Sequence, residues 1–241
     1  MRRFFVEKAQ DPFVLRGESH KHLAVVLRAR VGEEVTLCCG DGFDYVCRIE
    51  SVHADQTVLS LIDKRASAGE PSVRVTLFMS VLKGDKNEFV VQKATELGVE
   101  EIVPVFTRFV QAHSRDCKID RLRKIACEAA QQCGRGRLPK VQDAVSFAAM
   151  RERLADFQAV VFPYEKATEL SLRDFLRGRA ENVPATAAVI IGSEGGFADE
   201  EAAALQQSGV TPVTLGKRIL RAETANLAVL SALMYEWGQW A

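Results

Sequence analysis

The sequence lacks several patterns that would place it in large classes of protein. It has no run of about 18 apolar residues, so it predicts no membrane-spanning helix. Residues 1–8 include two arginines but no apolar stretch of the length that a secretory signal needs. We therefore expect a cytoplasmic protein.

Motifs of common metal sites and nucleophilic sites are also missing. The six cysteines form no C-x-x-C pair, and the four histidines have no metal-ligand spacing. We therefore predict no metal site and no disulfide framework. Ser193 does not stand in a G-x-S-x-G motif, and neither the G-x-G-x-x-G nor the Walker pattern of phosphate-binding loops occurs.

The sequence has no net charge, since 32 basic residues balance 32 acidic ones. Any binding of nucleic acid must therefore come from a local patch. One stretch, from Arg108 to Lys140, contains nine Lys or Arg residues and only three acidic ones. It is compatible with a solvated face. However, 134–137 reads Gly-Arg-Gly-Arg and places cations on flexible backbone, which suits a surface that follows phosphates.

The first part of the chain, to about Lys64, has the pattern of short strands joined by tight turns. A short helix is predicted at His20–Leu27, and residues 65–72 are small, polar and broken by glycine and proline, as in a linker. So many short strands in a small unit indicate a compact β-barrel. The predicted strands are Val35–Cys38, Tyr45–Ile49 and Thr57–Ile62.

After the linker, strands alternate with helices, which indicates an α/β domain with a parallel sheet covered on both faces. The predicted strands are 73–82, 102–106, 159–162, 187–191 and 213–215. The first helix follows Asp85 and is expected to bury Phe89, Val90, Ala94 and Leu97. The second has an apolar face of Leu122, Ile125, Ala126, Ala129 and Cys133. Two more are predicted at 198–207 and 223–240.

Three of these strands end in unusual loops. Phe162 leads into Pro-Tyr-Glu, Ile191 into Gly-Ser-Glu-Gly-Gly, and Leu215 into Gly-Lys-Arg. Ligands bind beyond the carboxyl ends of strands in open parallel sheets, so three such loops in one domain favour a pocket over three unrelated turns. The helix after the second loop begins with Asp199-Glu200-Glu201, whose charge would repel a phosphate. A cationic or neutral ligand fits better.

The two loop segments Ile191–Phe197 and Leu215–Ala225 resemble the signature loops of the 16S rRNA uridine-N3 methyltransferase (RsmE-like) family of the SPOUT class. The family's loops usually have proline where this chain has Ser193 and Lys217. Further similar segments, in the same order along the chain, are 3–5, 22–28, 83–85, 92–99, 102–104 and 128–135.

The resemblance implies a fold and an assembly. Residues 1–68 would form a PUA-like RNA-binding β-barrel, and residues 72–241 a SPOUT methyltransferase domain whose C-terminal part forms a trefoil knot. The protein would be a homodimer in which the knot regions form the interface. The last helix carries an apolar stripe that would suit this interface or an ordinary core face, namely Leu227, Leu230, Met234 and Trp237.

The resemblance also implies S-adenosylmethionine as cofactor, 16S rRNA or the small ribosomal subunit as partner, and methyl transfer to N3 of a uridine. The cofactor-binding residues would be Phe162, Pro163, Ile191, Gly192, Ser193, Gly195, Gly196, Leu215, Gly216, Ile219, Leu220 and Ala222. Arg221 or Arg218 would stabilise the uridine oxyanion, and Glu194 or Glu223 would order the loops or accept the proton. The RNA-binding residues would be Arg3, Arg28, Arg108, Arg121, Arg135 and Arg137.

Two other functions stay open from the sequence. Another SPOUT enzyme would methylate a ribose 2′-hydroxyl group or a different base. A protein without catalytic activity would bind rRNA during ribosome assembly.

Overall fold

The computed structural model describes residues 2–110 and 117–240. The chain divides into two compact units. The first consists of Met1–Glu70 with Ala130–Leu138, and the second of Pro71–Ala129 with Pro139–Ala241. Arg115 and Asp116 of the basic stretch lie outside the described residues.

The first unit is a curled five-stranded sheet with the order β1-β3-β4-β5-β2. β1 is parallel to β3, and the other pairs are antiparallel. Two register shifts between β4 and β5 bend the sheet, which confirms the predicted β-barrel as a half-barrel. The strands are β1 (Arg2–Phe5), β2 (Phe13–Arg16), β3 (Glu34–Cys38), β4 (Phe43–Val52) and β5 (Gln56–Ala66).

The helical segment of this unit starts earlier than predicted. It consists of α1 (Gly17–Lys21) and a π-helical turn (His22–Val26). Leu23 from this turn is fully buried in the barrel core together with Phe4 and Leu37. The core therefore joins the helical segment to the sheet.

The second unit contains a parallel sheet with the order β12-β10-β11-β6-β7-β8, and β9 also pairs with β7. Every pair in it is parallel, as the sequence predicted. Its strands are β6 (Arg74–Ser80), β7 (Glu101–Phe106), β8 (Lys140–Val141), β9 (Val145–Ser146), β10 (Ala159–Pro163), β11 (Thr186–Ile191) and β12 (Pro212–Val213).

Apolar clusters cover both faces of this sheet. Leu77 and Met79 of β6 point into one cluster, whereas Phe78 points into the other. Alternate side chains of a strand lie on opposite faces, so β6 is buried on both sides. The helices are α2 (Lys86–Glu96), α3 (Ile119–Cys133), α4 (Phe147–Glu152), α5 (Leu172–Arg177), α6 (Asp199–Gln207) and α7 (Ala222–Glu236).

Two predictions about helix faces are corrected. Phe89, expected in the core, is 44% exposed, because Val90 and Val91 form the buried face of α2 beside it. Cys133 is exposed at the end of α3. For the α7 stripe, the structure supports the alternative of an ordinary core face, since Leu230, Met234 and Trp237 are buried within this unit.

Within residues 2–110 and 117–240, no helix combines the length and the hydropathy that crossing a bilayer requires.

Candidate active site

A cavity of about 510 Å³ lies where β10, β11 and β12 end. Three loops from the sequence prediction meet there, as expected for the carboxyl edge of a parallel sheet. The predicted site residues that line it are Pro163, Ile191, Gly192, Ser193, Glu194, Gly195, Gly196, Leu215, Gly216, Arg218, Ile219, Leu220, Arg221 and Ala222. Phe162 and Glu223 do not line it.

The loop after β11 is a tight turn whose shape depends on glycine. The N–H of Gly196 donates to the carbonyl of Ser193 at 2.9 Å, and Gly196 has φ +69°. A Cβ atom on Gly192 would lie 3.0 Å from the ring of buried Phe197. A side chain at Gly192 would clash with this core ring, so the loop packs directly on the core while Gly192, Gly195 and Gly196 line the cavity.

Phe162 packs against this loop from the core of the unit. It is fully buried, and its ring packs edge-on against Phe197 at 5.2 Å and stacks with Tyr164 at 5.5 Å. The prediction that Phe162 contacts the cofactor is therefore corrected: its ring fills the core under the loop, because the side chains of β10 alternate between the faces of the sheet.

The loop after β12 also lines the cavity. Gly216 has φ +101°, and its N–H donates to Oγ1 of Thr214 at 3.1 Å. Ile219 is 79% exposed, and Arg218 and Arg221 are exposed as well. Within residues 2–110 and 117–240, neither guanidinium group forms an ion pair. The rim of the cavity thus presents two cations to a ligand.

A lysine that the sequence analysis missed joins the loops. Nζ of Lys86 lies 2.9 Å from Oε1 of Glu194 and 3.8 Å from Oε2 of Glu223. The hydrogen bond from Lys86 is accompanied by one from the backbone N–H of Lys83 to Glu194 at 3.3 Å. Lys86 directly follows the Lys-Gly-Asp turn at 83–85, and this turn was the feature of the sequence that could have pointed to Lys86.

These contacts set the protonation of the cluster. Partial burial acts to raise the pKa of Glu194, but the hydrogen bonds from Lys86 and the backbone outweigh it and hold that pKa below its usual value. The hydrogen bond to Glu194 in turn raises the pKa of Lys86. Glu194 is therefore a paired carboxylate and a poor acceptor for a proton.

Glu223, in the first turn of α7, is the second acidic neighbour of Lys86. Its Oε2 atom is buried and accepts no hydrogen bond from the described part of the chain. Its neighbour Ala222 lines the cavity, but Glu223 does not.

The cavity has further lining residues that sequence reasoning did not include. They add an acidic group, an aromatic wall and small side chains, and they are Lys86, Tyr164, Glu165, Phe197, Thr214 and Ala225. Glu165 brings an exposed carboxylate, and its Oε1 atom would lie 3.0 Å from a Cβ atom on Gly196. Burial and a hydrogen bond to Asp199 raise the pKa of Tyr164, so its hydroxyl group stays protonated.

Two of the predicted RNA-binding arginines, both in the first unit, are held in ion pairs. Arg3 donates two hydrogen bonds of 2.7 Å to Asp44, and Arg135 lies 2.8 Å from Glu70 with only 4% of its side chain exposed. Their placement as surface cations is therefore corrected: each guanidinium group is held by a carboxylate distant in sequence. Arg28 and Arg137 of this unit are exposed.

In the second unit, Arg108 is exposed, and Arg121 is also exposed but paired with Glu88 through two contacts. Arg123 also forms ion pairs, one with Asp120 and one with Asp143. The basic stretch therefore presents less uncompensated charge than its composition indicates.

Two family models match the chain. One, described as an RNA methyltransferase domain, covers residues 69–234, and the other, an RNA methyltransferase PUA domain, covers residues 15–62. Ribosomal RNA small subunit methyltransferase E of Bacillus subtilis is 33% identical over 98% of this chain and 97% of its own length. The Mycobacterium tuberculosis protein of that name is 29% identical over 98% and 92%.

Solved structures agree with these relatives. A ribosomal RNA small subunit methyltransferase E from Neisseria gonorrhoeae, bound to S-adenosyl methionine, has a TM-score of 0.87 and 27% identity, over 98% of both chains. A putative methyltransferase from Legionella pneumophila with bound cofactor SAM has a TM-score of 0.86 and 31% identity, over 97% and 96%. With matches along its whole length and a cavity at the same edge of the sheet as its signature loops, this chain belongs to the family of S-adenosylmethionine-dependent rRNA methyltransferases named Ribosomal RNA small subunit methyltransferase E.

Proposed function

We propose that the protein transfers the methyl group of S-adenosylmethionine to N3 of a uridine in the 16S rRNA of the small ribosomal subunit. The observation that carries this proposal is one cavity that combines glycine-rich loops with two exposed arginines at its rim. The loops suit a small cofactor, and the arginines suit an RNA base that becomes negatively charged.

The residues of the cavity fit S-adenosylmethionine. A volume of about 510 Å³ is in the range of small-molecule sites. Apolar side chains of Ile191, Leu215 and Leu220 suit the faces of an adenine ring, and the glycine backbones suit its edge. The carboxylate of Glu165 suits the cationic groups of the cofactor, whereas a phosphate would be repelled.

S-Adenosylmethionine supplies a methyl group made electrophilic by the positively charged sulfur atom. The task of this chain's own residues is to orient the base and to stabilise charge on it. N3 of uracil is weakly acidic, and its deprotonation places negative charge on O2 and O4. We assign the stabilisation of that charge to the guanidinium groups of Arg221 and Arg218, which line the cavity at its rim.

Neither Glu194 nor Glu223, the two acidic candidates, is positioned to accept the N3 proton. Glu194 is paired with Lys86, and Glu223 lies behind Lys86 without lining the cavity. We propose that both carboxylates hold Lys86 and so order the loops. The N3 proton then passes to solvent at the exposed rim, helped by two arginines that make N3 more acidic.

We further propose a division of labour along the chain, with residues 1–68 as an RNA-binding module and residues 72–241 as the catalytic module. The matches to a PUA model and a methyltransferase model support this division. Of the predicted RNA-binding residues, the exposed Arg28, Arg108 and Arg137 retain that role. A ribosomal substrate implies a cytoplasmic location.

The trefoil knot and the homodimer are also proposals, and the family resemblance supports both. The α7 stripe is buried, so we propose that the dimer interface includes Tyr235 and Trp240, which are 71% and 57% exposed. Light scattering should give twice the mass of one chain for the wild type. A Tyr235→Ser variant with a lower mass would support this interface, and a wild-type monomer would contradict the dimer.

The proposed reaction is tested with labelled S-adenosylmethionine and small ribosomal subunits that lack the modification. Nucleoside mass spectrometry of the digested rRNA should show N3-methyluridine. A ribose-methylated nucleoside or another methylated base would instead indicate a different RNA methyltransferase activity. RNA binding without any methylated product would indicate an assembly factor.

A further inference from the structure

A second cavity adjoins the cofactor cavity. It has a volume of about 400 Å³ and is lined by Arg108, Phe109, Val110 and Gly195. Gly195 also lines the cofactor cavity, so this glycine forms a shared wall. The other three residues belong to a turn after β7 in which the N–H of Val110 donates to the carbonyl of Thr107 at 3.1 Å.

Two contacts fix this turn beside the cofactor loop. A Cβ atom on Gly195 would lie only 2.8 Å from Cβ of Phe109, so the loop and the turn pack together at a position where only glycine fits. The backbone N–H of Arg108 donates to Oε1 of Glu201 at 2.9 Å. Glu201 belongs to α6, which begins directly after the cofactor loop.

Two side chains of this anchored turn are exposed, whereas Val110 packs against the core of the unit. Phe109 is 45% exposed, although an apolar ring gains nothing from contact with water, and Arg108 is exposed beside it. An aromatic face next to a cation is the combination that binds single-stranded RNA, where the ring stacks on a base and the cation contacts a phosphate.

We propose that Phe109 stacks on the base of the nucleotide next to the target uridine and that Arg108 binds the adjoining phosphate. The target uridine must enter the cofactor cavity to reach the methyl group, so the cavity on the other side of Gly195 is available to its neighbour on the strand. This inference rests on the proposed function and names the substrate contact that would present the uridine.

The experiment compares Phe109→Ala, Phe109→Tyr and Phe109→Leu with the control Phe89→Ala, which removes a ring of similar exposure from α2. Phe109→Ala retains the Cβ atom that contacts Gly195, so the affinity for S-adenosylmethionine, measured by calorimetry, should stay within about twofold. The dissociation constant and the KM for unmodified small subunits should rise about tenfold, within the range known for one stacked base. Tyrosine should restore both values, leucine should not, and Phe89→Ala should match the wild type.

Subunit affinity within about twofold of the wild type in Phe109→Ala would overturn the proposal. Full restoration by leucine would also overturn it, because an apolar contact would then suffice without stacking. A lower mass of Phe109→Ala by light scattering, with unchanged RNA affinity, would assign Phe109 to an interface between copies of this chain. The wild-type product is identified in parallel. A product other than N3-methyluridine contradicts the proposed reaction, whereas the affinity series tests the stacking contact whichever nucleoside is methylated.

Discussion

Ser193 stands where the family usually has proline, yet the turn it belongs to is held by hydrogen bonds. Its Oγ atom accepts from the N–H of Gly195 at 3.4 Å, and its carbonyl accepts from the N–H of Gly196. Proline would restrain the backbone through its ring. The serine replaces part of that restraint with contacts inside the loop. Lys217, at the other departure, is exposed.

The ion pair between Lys86 and Glu194 should contribute to cofactor affinity by ordering two loops. Each side chain is about one third exposed, so solvent screening limits the effect to about 1 kcal/mol. Glu194→Gln should therefore weaken S-adenosylmethionine binding about two- to fivefold in calorimetry. Lys86→Met should give a similar loss, and the double variant should add little, because both changes remove the same contact.

Glu200→Gln is the matched control for this series, since Glu200 is an exposed acid in the first turn of α6. Its cofactor affinity should equal that of the wild type. Losses in Glu194→Gln and Lys86→Met that add fully in the double variant would show that the two residues act independently.

Arg221 should act on the chemical step more than on binding. Removal of one preorganised donor from a developing oxyanion typically lowers kcat about 10²-fold, so we expect that loss for Arg221→Ala at saturating cofactor. Arg221→Lys, which keeps a positive charge, should recover part of the rate. Arg173→Ala, an exposed arginine on α5, serves as the control. A kcat within about twofold of the wild type in Arg221→Ala would remove Arg221 from the mechanism.

At the scale of elements, Arg3 on β1 was predicted to bind RNA, but in the structure it joins two strands of the sheet. Arg3 on β1 forms a two-pronged pair with Asp44 on β4, across β3, and the side chains are 12% and 7% exposed. Arg3→Met leaves a buried carboxylate without its cation. This should lower the local unfolding free energy of the sheet by about 3 kcal/mol, measured by hydrogen exchange of the β3 and β4 amides.

Arg2→Met is the control on the same strand, because the pair of Arg2 with Glu33 is 37% and 41% exposed. It should cost at most about 1 kcal/mol. Equal protection of β3 and β4 in both variants would contradict the structural role of Arg3.

The ion pair between Arg3 and Asp44 also makes the stability of the sheet depend on pH. Burial acts to raise the pKa of Asp44, but hydrogen bonds from Arg3 and Ser67 outweigh it and hold that pKa below its usual value. A lowered folded-state pKa stabilises the fold above the unfolded value of about 3.9, and this contribution is lost as the pH falls through the folded value. Arg3→Met should therefore show a smaller loss of protection on acidification below about pH 4.

The elements that the sequence predicted well are those whose apolar residues alternate or recur over many positions. β6 and α3 are examples. β2 and the helices α4 and α5 were missed because segments of four to six residues leave too little pattern. Phe89 was misplaced because Val90 and Val91 occupy the buried face of α2, which leaves the ring of Phe89 at its edge.

The site was predicted where its features are local in sequence. The glycine loops were recognisable from their letters alone. Lys86 and the buried state of Arg135 were not, since their partners Glu194 and Glu70 are 108 and 65 residues away along the chain. Such pairs depend on the tertiary fold and leave no local signal.

At the scale of the whole molecule, the balance of charge limits how RNA is held. The chain has no net charge, and ion pairs compensate several arginines of its basic stretch. Affinity for rRNA should therefore depend on a few exposed cations, and its logarithm should fall only gently with the logarithm of salt concentration. Arg137, exposed in the first unit, is the clearest case.

Arg137→Ala should weaken binding to unmodified small subunits and reduce the slope of that salt dependence by about 1, as expected for the loss of one phosphate contact. Arg173→Ala again removes an exposed arginine, here outside the predicted surface, and should leave the slope unchanged. Filter binding at several salt concentrations provides both slopes. Arg135 does not suit this test, because its loss would leave Glu70 without its ion-pair partner. An equal slope for Arg137→Ala and the wild type would place the RNA elsewhere on the protein.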